Sequence, residues 1–150
     1  MQKITTFLTF NNQAEEAAKL YTSIFKNSKI TWSTPGPDGN VMWVSFNIDG
    51  QEFYALNGGP RPEFHFSEGI SLFVTCEGQE EVDYYWDNLI ADGGEPSMCG
   101  WLKDKFGVSW QIIPTALNRL LGDPDPARAG RVMEAMLKMS KIDIATLENA

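Results

Sequence analysis

Two kinds of residue are scarce in this chain: it has 2 cysteines, Cys76 and Cys99, and 1 histidine, His65, among 150 residues. With no CxxC pair and a lone histidine, neither a zinc ribbon nor a disulfide scaffold can be assembled, and both thiols are expected to be reduced core residues. Basic clusters are also missing. A formal charge of -8, from 20 acidic and 12 basic residues, repels phosphate backbones and anionic lipid, so nucleic acid and membrane partners are not expected. No run is long and apolar enough to span a bilayer, and MQKITTFLTFNNQAEE at the N-terminus lacks an apolar signal core, which makes the cytoplasm the expected location.

What the chain does have is core-forming material, with 43% hydrophobic and 12% aromatic residues. That suffices for one full-sized domain or two small intimate halves. QKITTFLTF (residues 2–10) reads as a strand ending at the Asn11-Asn12 turn or helix cap. Residues 13–25 follow as an amphipathic helix with Ala14, Ala17, Ala18, Tyr21, Ile24 and Phe25 on one face. SKITWST, VMWVSFNID and QEFYALN supply three further strands around strong turn signals. The first half is therefore β-α-β-β-β. A loop of Gly, Pro and charged residues covers 58–68.

The second half repeats the order with GISLFVTC as strand, QEEVDYYWDNLIA as helix, GGEPSMCG as turn and short strand, then WLKDKF and GVSWQIIP. A polar cap, a Glu-Glu pair and an aromatic face fall at similar offsets in the two helices, which makes this an internal repeat. The glutamate pairs Glu15-Glu16 and Glu80-Glu81 sit at helix starts, where the dipole favours acidic side chains, so they are structural. After Pro114 the pattern is helical, with one short helix, one longer helix started at Asp123–Pro126 and a final turn. Val132, Met133, Met136, Leu137 and Met139 make an apolar stripe there, for the core or for a partner subunit.

Two β-α-β-β-β modules, the NNQAEEAAKLY helix start, EEVDYYWDNLIADGGE, and above all CGWLKDKFGVSWQIIP (Cys99–Pro114) resemble the vicinal oxygen chelate superfamily. More narrowly they resemble its PhnB-like branch, labelled 3-demethylubiquinone-9 3-methyltransferase, over about residues 1–115, with a helical tail in keeping with that branch. The resemblance implies an α+β fold of two βαβββ modules, about 1–57 and 69–114, wrapping a shared cavity with helices outside, plus a helical tail over 115–150. It also implies relatives as diverse as glyoxalase, extradiol dioxygenases and the fosfomycin- and bleomycin-resistance proteins. Many of these hold a divalent metal through the first and last strands of each module.

In this chain those positions fall on Thr6, near Ser71, on Leu56 or Asn57, and on Gln111, which are neutral, weak ligands. No metal and no other cofactor is therefore expected. A methyltransferase of the common nucleoside-cofactor type would need a glycine-rich strand-to-helix loop in a parallel sheet, and Gly58-Gly59 and Gly93-Gly94 stand before strands instead. Strand alternation directs Trp43, Ser45 and Asn47 to one face, and Ser109, Gln111 and Ile113 to another, opposite Trp110 and Ile112. The candidate pocket is Thr6, Trp43, Ser45, Ser71, Phe73, Trp101 and Gln111, with Trp43 and Trp101 stacking a ligand or filling core. Gln111 either holds the ligand or bonds Ser45, Ser71 or backbone.

The expected function is metal-free binding of a neutral, aromatic-type small molecule, with a homodimer as the assembly. The alternative is an enzyme, either of the glyoxalase and dioxygenase kind or the methyltransferase that the family label suggests.

Overall fold

The computed structural model describes residues 1–150 and divides into two compact units, residues 1–65 and 66–150. The first unit runs β1 (Thr6–Phe10), α1 (Ala14–Ile24), β2 (Lys29–Pro35), β3 (Val41–Ile48) and β4 (Gln51–Asn57). Its sheet has the order β1-β4-β3-β2, in which only β1 and β4 are parallel. The second runs β5 (Ser71–Cys76), α2 (Gln79–Ile90), β6 (Glu95–Pro96), β7 (Trp101–Lys103) and β8 (Ser109–Pro114), with the order β5-β8-β7-β6 and again one parallel pair, β5 with β8. The internal repeat read in the sequence is thus a repeat of topology.

Each sheet buries one face under one helix. In the first unit Ala14, Ala17, Ala18, Tyr21 and Ile24 recur at helical spacing along α1 and are buried. Beneath them lie Val44, Phe46 and Ile48 from β3, Leu8 and Phe10 from β1, and Phe53 and Ala55 from β4. The Phe46 and Phe53 rings stack with centroids 5.6 Å apart. In the second unit α2 buries Val82, Trp86 and Leu89, while Leu102, Trp110, Ile112 and Cys76 form the covered side of the sheet. Burial pushes the Cys76 thiol up to about 12, as expected of a core cysteine with no chemical role.

The tail is α3 (Thr115–Leu121), α4 (Pro126–Leu137) and α5 (Ile144–Glu148), so the expected final turn is a short helix. Leu117, Leu120, Val132, Ile142 and Leu147 close a core of their own with Ile113. Met133 and Leu137 of the predicted stripe stay exposed. One carboxamide fastens this tail to α2: Gln79 accepts from the Ile144 amide at 2.9 Å and donates to the Ile142 carbonyl at 3.0 Å. The Cys99 and Gly100 amides donate to the Met139 and Ser140 carbonyls, both at 2.8 Å. No helix is long and apolar enough to cross a membrane.

Two expectations change at the N-terminus. The first strand begins at Thr6 rather than residue 2, because the Gln2 side chain takes over its pairing, donating to the Glu52 carbonyl and accepting from the Glu52 amide. The cap of α1 comes from β4 and not from Asn11-Asn12: Asn57 Oδ1 accepts from the Ala14 amide at 2.9 Å. Asn57 Nδ2 also donates to the Val41 carbonyl, which ties the helix start to both strands.

Candidate functional site

The faces without a helix carry the candidate chemistry. In the first unit the register aligns Phe7, Tyr54, Ser45 and Trp32 across all four strands, with Leu56, Trp43 and Thr34 in the next row. The Phe7 and Trp43 rings meet edge to face at 5.2 Å, and Trp43 and Tyr54 lie 5.1 Å apart. Both indole donors are used up locally, Trp43 Nε1 on Ser45 Oγ at 2.9 Å and Trp32 Nε1 on Thr34 Oγ1 at 2.8 Å. A hydrogen bond to the Glu52 carboxylate holds the Tyr54 hydroxyl above its ordinary value. What remains on offer is aromatic surface, with Phe7 45% exposed and Trp32 65%.

Thr6 does not belong to this face. It pairs with Phe53 and shares the helix side with Leu8 and Phe10, so the expected inward position passes to Phe7. The same register decides between Leu56 and Asn57: Leu56 stands opposite Trp43 on the open face, and Asn57 faces α1 as its cap. Phe7 and Tyr54 were missed in the sequence reading, although the alternation Glu52, Tyr54, Leu56 against Phe53, Ala55 marks the second of them.

In the second unit Gln111 lies between Phe73 on β5 and Trp101 on β7, and Ser109 between Ser71 and Lys103. Gln111 Nε2 donates to Ser71 Oγ at 2.8 Å, one of the partners expected for it. Ser71, Phe73, Trp101 and Gln111 therefore share one open face, with Phe73 54% exposed. Trp43 and Ser45 sit together on the sheet of the first unit. Lys103 is engaged by Glu68 at 2.8 Å, and that hydrogen-bonded pair raises the lysine and lowers the glutamate.

The turn feeding this strand is built on a buried carboxylate. Asp104, 3% exposed, accepts from the Phe106 and Val108 amides at 2.9 and 3.0 Å, and from Trp110 Nε1 at 2.9 Å. Its own carbonyl takes the Gly107 amide, and Gly107 adopts φ 90°, where a side chain would be strained. The DKFG turn thereby sets the β7–β8 register that brings Trp101 opposite Gln111.

A family model described as 3-demethylubiquinone-9 3-methyltransferase matches residues 2–113. This chain belongs to that family. It is the PhnB-like branch of the vicinal oxygen chelate superfamily, and a solved relative agrees: a PhnB protein from Bacillus cereus is 38% identical over 76% of this chain and 100% of its own, with a TM-score of 0.71. The fold recurs at 19% identity in protein PA1353 from Pseudomonas aeruginosa, over 76% of this chain and 98% of that one, with a TM-score of 0.63. It recurs again in the fosfomycin resistance protein FosX from Listeria monocytogenes, solved with Mn(II) and sulfate, at 19% identity over 73% of this chain and 90% of that one, with a TM-score of 0.53. None of the curated proteins compared with the chain matches it. The family match ends at residue 113, before the helical tail begins.

The fold and the family description imply a metal or a methyl donor, and the residues present suit neither. Phe7, Leu56, Ser71 and Gln111 offer no imidazole, carboxylate or thiolate, and no group of three or more His, Cys, Asp or Glu side chains is placed to hold a metal. Neither sheet has the parallel, doubly wound order around which a glycine-rich loop binds a nucleoside cofactor.

Proposed function

We propose that this PhnB-family chain is a metal-free binding protein for neutral, flat, aromatic small molecules, working as a homodimer in the cytoplasm. The observation that carries the reading is the Phe7–Trp43–Tyr54 cluster, three rings 5 to 7 Å apart whose indole donor is satisfied within the sheet. Such a surface offers stacking and apolar contact, each ring pair worth about 0.5–1.5 kcal/mol beyond area burial. It offers nothing that would bind phosphate.

The test is metal analysis of purified protein followed by tryptophan-fluorescence titration with small aromatic and quinone-type compounds. Substoichiometric metal with a saturable change that is lost in Trp43→Ala supports the reading. A stoichiometric transition metal, or silence from every compound, sinks it. Sedimentation at micromolar concentration tests the dimer, and a monomer there would remove that part.

The family description favours a second reading, methyl transfer. Formation of a methylated quinol from a demethylated one and a nucleoside methyl donor would establish it in place of binding.

A further inference from the structure

Helix α4 carries a face that the core of the tail does not use. It buries only Val132, with Arg128, Ala129, Ala135 and Met136 half-buried around it. Further round the helix Pro126, Gly130, Met133 and Leu137 form one exposed stripe at alternating spacings of four and three, with Met133 43% and Leu137 57% exposed. Gly130 is the unusual member. Its φ lies outside the left-handed region, and a Cβ there would meet no atom within 4 Å, so neither backbone geometry nor packing within the chain calls for glycine. Glycine in an exposed helix interior weakens the helix about fivefold relative to alanine. Its presence where its own chain draws no benefit points to a close approach from outside the chain.

The stripe is complementary to itself. Turned end for end about a two-fold axis passing between Gly130 and Met133, it sets Gly130 opposite the partner's Met133 and Pro126 opposite the partner's Leu137, a compact residue against a long one at every level. The flanking charges agree. Glu134 borders the stripe, with Arg131 and Lys138 beyond it on the same side, and all three are exposed and outside the ion pairs of the tail. Antiparallel pairing brings Glu134 within about 3 Å, measured along the axis, of the partner's Arg131, and does so twice by symmetry, whereas parallel pairing would set each charge beside its like. We propose that α4 is a self-association surface, packing antiparallel on the same helix of a second copy of this chain, with Gly130 as the notch that receives Met133. The proposal rests on the homodimer proposed above and adds to it the face, the register and the axis.

The test uses the full chain in sedimentation equilibrium, where the unmodified protein should dimerise with a dissociation constant in the micromolar range, as fits an interface of one helix from each subunit. Gly130→Leu fills the notch and should weaken the dimer about tenfold. The same variant should keep or raise the melting temperature at dilutions where the chain is monomeric, since the new side chain meets nothing in its own chain. Leu137→Lys should weaken the dimer by a similar factor with the fold unchanged. Glu134→Arg should weaken it about threefold, and adding Arg131→Glu in the same chain should return it to within about twofold of the unmodified protein. Unchanged or tighter dimerisation in Gly130→Leu or Leu137→Lys would overturn this surface and leave the homodimer to another face. Absence of recovery in the double variant would overturn the antiparallel pairing. A chain that stays monomeric throughout the concentration range overturns both the surface and the homodimer.

Discussion

Replacing Asp104 is the sharpest test of how this family motif works. Its carboxylate accepts three hydrogen bonds of 2.9 to 3.0 Å in a site 3% exposed, two from turn amides and one from the Trp110 indole. In Asp104→Ala all three donors lose this acceptor inside the fold. A bond to a charged group contributes about 1.5–3 kcal/mol, and each orphaned donor carries about 1–3 kcal/mol of desolvation, but the three act together and are not additive. A loss of about 3–5 kcal/mol is expected, large against a typical stability of about 5–15 kcal/mol. At about 2–4 °C per kcal/mol for a chain of this size, the melting temperature should drop by about 6–20 °C. Asp104→Asn keeps the shape and one acceptor oxygen but sets an NH2 group against a donor, so about 2 kcal/mol is expected. Urea unfolding followed by tryptophan fluorescence measures both. If Asp104→Ala costs less than about 0.5 kcal/mol, as a surface change would, the carboxylate is not the hub of the turn.

The other predictions concern the anchors and the missing metal. Asn57→Ala removes the cap of α1 and the bond to Val41, and should cost about 1–3 kcal/mol by the same denaturation assay. Gln79→Ala should release residues 140–150 to fast amide exchange before the two sheets, whereas unchanged protection there would show that the tail core holds without it. Folded Cys76 keeps its proton to about pH 12 while the unfolded thiol loses it near 9, so folding stability should fall as pH rises through that window, by on the order of 3–4 kcal/mol in all. Cys76→Ala should remove that slope in an alkaline denaturation series. Gln111→Glu puts a carboxylate on the last strand, yet with Ser71 and Phe73 beside it the donor set still falls short, and calorimetry should detect no stoichiometric Mn(II) or Zn(II) binding.

Most of the architecture was legible because the chain is locally consistent. Helical spacing in α1 and α2, turn glycines and a repeated element order all point the same way. Where the reading slipped, the local pattern was degenerate. TTFLTF carries apolar residues at Phe7, Leu8 and Phe10, on both parities, so alternation alone could not say which side faces the helix. One residue of uncertainty there moves every side chain to the other face, which is how Thr6 stood in for Phe7. The N-terminal and α1 corrections have a different cause, since Gln2 and Asn57 bond partners 50 and 43 residues away and no local window contains both ends.

The strand after the DKFG turn shows why a motif can identify a family while departing from the chemistry common on its fold. Its residues divide by parity into two jobs. Trp110 and Ile112 face the helix, and Trp110 also reaches back to Asp104, so these positions answer to packing and to the turn. Gln111 faces away and is only half-buried, so neither burial of a core nor closure of the turn constrains it to one residue type. A substitution at Gln111 can therefore remove a metal ligand and leave the fold intact, because the Asp104 carboxylate and the Trp110 indole hold the register from the opposite side of the strand. The turn residues carry the family resemblance and the ligand contact proposed for Gln111 lies on the opposite parity, so the two kinds of inference draw on different atoms of one eight-residue stretch, Asp104 to Gln111.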